Sequence, residues 1–183
     1  MIEVRWHGRG GQGGFTVSRL LGMSAALFEN KYAMAFPSFG PERRGAPVLA
    51  FTRIDKHKIT DRSEVKECDY VVVMDETLIN KHITDGLKND GTILINTKNP
   101  EKYSDVLKDC KVVSIDATSI ALDILKRPIT NTAMFGALVA VSNVVSLDSA
   151  LKSIETEMKP SLVPKNIELI KKSYEIIKGG YNE

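Results

Sequence analysis

The sequence predicts an α/β fold: one domain over residues 1–183, three layers α/β/α, with a mostly parallel sheet and a Rossmann-like start. Three observations predict it. Strand, glycine-rich turn, helix and strand follow one another over residues 2–36, the order of a βαβ unit. Residues 70–74, YVVVM, are apolar almost throughout and β-branched, as a strand buried on both faces of a parallel sheet must be. Two more short runs of this kind, TILIN at 92–96 and KVVSI at 111–115, alternate with helix-forming stretches.

Each element has its own justification. Residues 2–6 alternate apolar with polar or charged side chains and read as the first strand, and 8–14 as a turn. Residues 15–28 place Val17, Leu20, Leu21, Ser24, Ala25 and Leu27 at helical spacing, and 31–36 form a second strand. The stretch PSFGPERRGAP is too rich in proline and glycine for regular structure and reads as a long loop. Residues 48–54 form a strand, and the polar turn 55–58 leads into a short edge strand at Ile59. Beyond the central strand, 76–87 reads as a helix and 101–107 as a short helical piece. Asp116 or Thr118 offers the side-chain oxygen that caps the helix after the KVVSI strand. Residues 132–145 are small and apolar almost all round, so this helix is expected against the sheet. Two amphipathic helices follow at 147–158 and 164–177, the second ended by Gly179 and Gly180, and helices are expected on both faces of the sheet.

Composition narrows the function. The chain is 43% apolar and 26% charged with a net charge of +2, and it has no basic run, so nothing points to nucleic acid. The start MIEVRWHGRGG has no apolar core of a signal segment, and the apolar stretch 135–145 is too short to span a bilayer. The expectation is a cytoplasmic protein. The two cysteines, Cys68 and Cys110, form no C-x-x-C unit and each precedes a strand, where a buried thiol is the simplest reading. His7, His57 and His82 have no metal-ligand spacing, so no metal site is expected.

GRGGQG, residues 8–13, places Gly8, Gly10 and Gly13 at the spacing of a dinucleotide-binding turn. Such a turn lets a ligand approach the main chain, and the N–H groups of the next helix attract phosphate or carboxylate. The acidic residue that a Rossmann site needs after its second strand is missing, since no carboxylate follows Phe36 before Glu42. A nicotinamide or flavin nucleotide, another anion, or a structural turn all fit the spacing, with Arg9 adding charge and Gln12 an amide. Arg43 and Arg44 stand on a loop stiffened by glycine and proline, and the parallel topology places that loop on the same sheet edge. They can face an anion, pair with Glu42, or meet a partner chain. In TNTAMFGAL, Thr130 or Asn131 can cap a helix, and Asn131 can also reach a ligand.

The blocks RWHGRGGQGG, AFPSFGPERRGAPVLAFTRI, DYVVVMDETL and NTAMFGALVAV resemble the gamma chains of 2-oxoacid:ferredoxin oxidoreductases, in order and over almost the whole chain. PSFGPERRGAPV looks most like the pyruvate type, and related gamma chains serve 2-ketoisovalerate, 2-oxoglutarate and indolepyruvate enzymes. The resemblance implies a multichain enzyme that turns pyruvate, coenzyme A and oxidised ferredoxin into acetyl-CoA, carbon dioxide and reduced ferredoxin. It also implies alpha, beta and delta type partners, with thiamine diphosphate and [4Fe-4S] clusters held outside this chain. The sequence agrees: the G-D-G…N signature of thiamine enzymes is missing, and two cysteines cannot ligate a four-iron cluster. No catalytic residue is therefore expected here, and the isolated chain is expected to be inactive. Gly10, Gly11, Gln12, Gly13, Arg43, Arg44 and Asn131 are the candidate coenzyme A or anion contacts. The alternative is an assembly module whose loops dock on the catalytic chains.

Overall fold

The computed structural model describes residues 1–38 and 43–180. Six strands, β1 (Ile2–Arg9), β2 (Tyr32–Pro37), β3 (Pro47–Asp55), β4 (Cys68–Val73), β5 (Leu87–Asn96) and β6 (Lys111–Ile115), form one sheet in the order β2-β3-β1-β4-β5-β6. The pairs β1/β4, β4/β5 and β5/β6 are parallel, whereas β3 runs antiparallel to both β1 and β2. Strand β2 therefore shares the direction of β1 without touching it. The βαβ unit is split by β3, a long-range pairing that local periodicity does not report.

The helices are α1 (Gly14–Phe28), α2 (Ser104–Leu107), α3 (Ala117–Leu125), α4 (Asn131–Ser142), α5 (Leu147–Glu157) and α6 (Val163–Gly180). Five of them share one face. There Val4, Trp6, Val72 and Leu94 meet Val17, Leu20 and Leu21 of α1 and the buried residues of α4. Trp6 donates its indole N–H to Thr52 Oγ1 at 3.1 Å, and that hydroxyl donates to the Ser18 carbonyl at 2.9 Å. One polar relay thus ties β1, β3 and α1 inside the apolar layer. Helix α4 is buried from Asn131 to Ala140, as its all-round apolar sequence demands. At Gly136 a Cβ would press on the Ile170 carbonyl at 2.6 Å, so glycine is what lets α4 lie directly on α6.

The α/β fold class holds, but the expected helices on both faces become one thick helical layer and one thin layer. The thin face is covered by α2 with Leu107, two 3₁₀ turns, one of which carries Tyr103, and irregular segments around Val65 and Ile83. Expectations failed chiefly in this layer. The helix expected over 76–87 is not formed: residues 76–86 make a 3₁₀ turn at Glu76–Leu78 and a series of turns, because local side chains compete with the helix. Asp75 accepts from the Thr77 N–H at 3.0 Å, Asn80 accepts from the His82 N–H at 2.8 Å, and Gly86 takes φ +75°. Strand β5 then starts at Leu87, ahead of its apolar run. The edge strand expected at Ile59 is not formed, and 56–67 is irregular. Asp116 caps α3 by accepting from the Ser119 N–H at 3.0 Å. Helix α6 continues through Gly179 and Gly180. Cys68 is fully buried, and burial pushes its thiol up to about 11; Cys110 is partly exposed.

Candidate functional site

The carboxyl ends of β1, β4, β5 and β6 meet where the chain's connections diverge to opposite sides of β1, the place where open parallel sheets bind ligands. Strand β1 delivers the glycine turn. The Gly10 N–H donates to the Ala46 carbonyl at 2.9 Å, and the Gly45 N–H donates back to the Gly10 carbonyl at 3.0 Å. A Cβ at Gly10 would collide with the Arg43 carbonyl, so glycine is required for this contact between two backbones. The arginine pair is thereby fastened beside the turn, with Arg44 Cγ 3.9 Å from where a Gly11 side chain would start. Arg43 and Arg44 are exposed and make no side-chain hydrogen bond or ion pair with described residues. Glu42, the carboxylate weighed as their partner, lies outside the described residues.

Gly13 is the N-cap of α1 in the left-handed region, φ +77°, and a Cβ there would strike the Asn131 side-chain nitrogen. Two helix N-termini therefore converge, those of α1 and α4. Neither has a side-chain bond from its N-cap residue, and neither has an acidic residue in its first turn. Asn131 is 9% exposed; its side-chain oxygen accepts from the Thr132 N–H at 2.9 Å, and its amide nitrogen is left at Gly13. Partial positive charge at both helix ends and a free amide donor make this junction suited to an anion.

Arg9 and Gln12 do something else. Arg9 Nε and Gln12 Nε2 each donate to Asp75 Oδ2 at 3.1 Å, and Gln12 Oε1 accepts from the Arg9 N–H at 2.7 Å. The other Arg9 nitrogens reach the Gly45 carbonyl at 3.0 Å and Thr77 Oγ1 at 2.7 Å. The charge expected of Arg9 is thus neutralised, and its guanidinium braces the Gly45 loop. Burial opposes the Asp75 charge, but hydrogen bonds from Thr77 and Gln12 and the Arg9 guanidinium outweigh it and hold the carboxyl below its ordinary value.

Beside this junction lies a cavity of about 500 Å³, bordered by Asp75 and Glu76 after β4, Asn96 and Thr97 at the end of β5, and Asp116 and Thr118 after β6. Much of its polar lining is already engaged. Asn96 donates to the Met74 carbonyl and to Thr118 Oγ1 at 3.0 and 3.1 Å, and Glu76 accepts from Thr97 and Tyr103 at 2.5 and 3.1 Å. Burial also opposes the Asp116 charge, and bonds from Ser119 and Lys98 outweigh it, so this carboxyl too lies below its usual range. The cavity carries the carboxylates of Asp75, Glu76 and Asp116 and the ammonium of Lys98, with Asp75 paired to Arg9 and Asp116 to Lys98, whereas the helix junction beside it is electropositive. The structure gathers all seven candidate residues near this edge, Asn131 among them without any placement from the sequence, while sequence reading missed the strand-end residues. Their signal is positional: DE, NT and DAT each stand at the carboxyl end of a parallel strand.

Among the described residues, no group of three histidines, cysteines or carboxylates could hold a metal ion, and no helix is long and apolar enough to cross a membrane. A four-iron cluster does not fit a chain with two cysteines. Fold and site define an α/β protein with a polar cavity at its parallel strand ends. Residues 3–176 match the model of the pyruvate ferredoxin/flavodoxin oxidoreductase family, and the chain belongs to that family. It is 50% identical over 167 residues to pyruvate synthase subunit PorC of Methanocaldococcus jannaschii, covering 91% of each chain. The crystal structure of the pyruvate oxidoreductase subunit PORC of Thermotoga maritima superposes with a TM-score of 0.84 at 42% identity, covering 95% of each. A 2-oxoglutarate:ferredoxin oxidoreductase from Magnetococcus marinus, solved with 2-oxoglutarate, coenzyme A and succinyl-CoA bound, shares the fold alone. Its TM-score is 0.78 at 16% identity, over 97% of this chain and 31% of that one.

Proposed function

We propose that the chain, acting as one domain, is the non-catalytic gamma-type subunit of a cytoplasmic pyruvate:ferredoxin oxidoreductase, and that its ligand edge receives the nucleotide end of coenzyme A. Alpha, beta and delta type partners hold the thiamine diphosphate and the iron–sulfur clusters and pass electrons to ferredoxin. The observation that carries the coenzyme A reading is the junction of Gly13 and Asn131, where two helix N-termini and an amide donor face one point. Main-chain N–H groups and the nearby Arg43 and Arg44 suit the diphosphate and 3′-phosphate. The neighbouring cavity, with the carboxylate oxygens of Asp75, Glu76 and Asp116 as acceptors, suits hydroxyl and amine donors of the nucleoside. The thiol arm then reaches a neighbouring chain, where the reaction takes place.

The test is Arg43→Ala with Arg44→Ala in the assembled enzyme. The KM for coenzyme A rises at least about ten-fold, as expected for losing charge-assisted contacts, while decarboxylation of pyruvate is unchanged. An unchanged KM in an intact complex overturns the reading. A second reading, pure assembly, rests on the exposure of both arginines. Under it the same variant elutes from size exclusion without this subunit. Assaying the complex with several 2-oxoacids settles the substrate class.

A further inference from the structure

Strand β2 is one margin of the sheet, and its sequence, YAMAFP, carries no charge. Exposed edges are normally blunted by charge, bulges or cover, because their free N–H and C=O groups recruit other strands. Here the surroundings are apolar as well. Tyr32 is 51% and Leu27 59% exposed, and a groove of about 240 Å³ runs between α1 and β2 over Gly22, Ala26, Ala33 and Ala35. The charges beside the strand are held elsewhere: Lys31 is turned away to Glu29 and the Val144 carbonyl, at 2.8 and 2.6 Å, Arg19 at the groove is paired with Glu157 at 2.8 Å, and Arg53 packs on the Phe36 ring from β3.

The backbone shows which groups are open. Pro37 pairs with Ala50, and the next residue, Ser38, donates its N–H to the Leu49 carbonyl at 2.9 Å. Antiparallel ladders alternate, so Tyr32, Met34 and Phe36 direct their backbone groups at β3, and Ala33 and Ala35 direct theirs outward. The outward series ends cleanly at both sides. The Lys31 N–H already donates to the Ala25 carbonyl at 3.2 Å, and Pro37 has no N–H.

We propose that β2 pairs antiparallel with β2 of a second copy of this chain, with the two-fold axis at Met34. The segment is self-complementary about that residue. Ala33 faces Ala35 of the other copy, and the four open N–H and C=O pairs of the two strands close on one another. Lys31 faces Pro37, so no further donor is stranded. On one face Tyr32 meets Phe36, an aromatic cross-strand pair, and on the other only alanine methyls meet, leaving room for Met23, Ala26 and Leu27 of both α1 helices. Met34 faces itself in the narrow pair, where Cα atoms stand about 4.5 Å apart. An isologous contact of this kind closes as a dimer and leaves no new edge.

Met34 also supplies the test. The full chain sediments as two copies, and Met34→Cys, made with Cys110→Ser, forms a covalent dimer on mild oxidation, since that spacing lies within disulfide range. Met34→Lys sets two ammonium groups face to face and weakens dimerisation at least about a hundred-fold, with an unchanged circular dichroism spectrum. If Met34→Lys does not fold, the cysteine variant decides alone. A native chain that sediments as one copy at all concentrations overturns the proposal, as does a dimer that persists in Met34→Lys or yields no cross-link. So does a cross-link from Met34→Cys in the assembled enzyme that joins this chain to a different subunit.

Discussion

Side chains alternate along β1, and its two rows meet different worlds. Val4 and Trp6 enter a layer of helices where apolar side chains interdigitate and the indole N–H is the main polar contact with β3. Glu3, Arg5, His7 and Arg9 enter the thin layer, where three arginines clip loops by their carbonyls. Arg5 donates to Ile83 O at 3.1 Å, Arg9 to Gly45 O at 3.0 Å, and Arg53 on β3 to Asp61 O at 2.8 Å. The difference has a simple cause. A helix satisfies its own backbone and needs only an apolar stripe to be held, whereas an irregular segment brings carbonyls that need outside donors. Guanidinium, always charged and with five N–H groups, meets that need from beneath.

The helical face breaks most sharply by Trp6→Ala. Trp6 is fully buried, so the loss is about 4 kcal/mol in urea unfolding, with the Thr52 hydroxyl also losing its donor. A loss below about 2 kcal/mol would show that the helices hold the sheet without this anchor.

On the thin face, Arg53→Ala is expected to cost about 2–3 kcal/mol. Arg53 is 2% exposed and bonds Glu3 at 2.8 Å, so its removal strands a largely covered carboxylate and frees the 56–67 segment. Hydrogen exchange localises the effect: amides of that segment lose protection ahead of those in α1. Uniform loss of protection would mean that the clip acts on the whole sheet.

The smallest effect sharpens the contrast through pH. Burial first, and then the Arg5 charge, lower the His7 pKa from 6.5 to about 3. Arg5 Nε donates to His7 Nε2 at 3.0 Å, and because arginine cannot give up its proton, this imidazole accepts and stays neutral. The unfolded chain binds the proton first. Stability is therefore complete above the ordinary histidine pKa and falls as pH drops from 6.5 toward 3. By pH 5 the loss is about 2 kcal/mol. His7→Gln, whose carbonyl can still accept from Arg5, flattens the difference between pH 7 and pH 5. Equal slopes for both proteins would place the titration elsewhere.

What was legible in the sequence follows the same division. YVVVM and TILIN announce strands because both faces of the sheet are covered there, KVVSI announces a half-exposed edge strand through its β-branched pair, and residues 132–145 announce a buried helix because no polar face interrupts them. The 76–86 segment misled because its apolar Leu78, Ile79 and Ile83 mimic a helix, while Asp75, Asn80 and Gly86 set turns. The candidate site was legible where glycine, arginine and asparagine cluster in short motifs. Asp75, Asn96 and Asp116 were not, because polar residues after a strand are ordinary until three strand ends are seen side by side.

By itself the sequence determined the α/β class, the order of most elements, the glycine turn and the candidate residues, since each follows from local periodicity or from the chemistry of single side chains. Only the tertiary structure decided that β3 parts β1 from β2, that Arg9 serves Asp75 and the Gly45 loop, and that Asn131 stands at Gly13. Those facts belong to contacts between distant segments, such as 9 with 75 or 13 with 131, and their geometry is set only when the whole core closes.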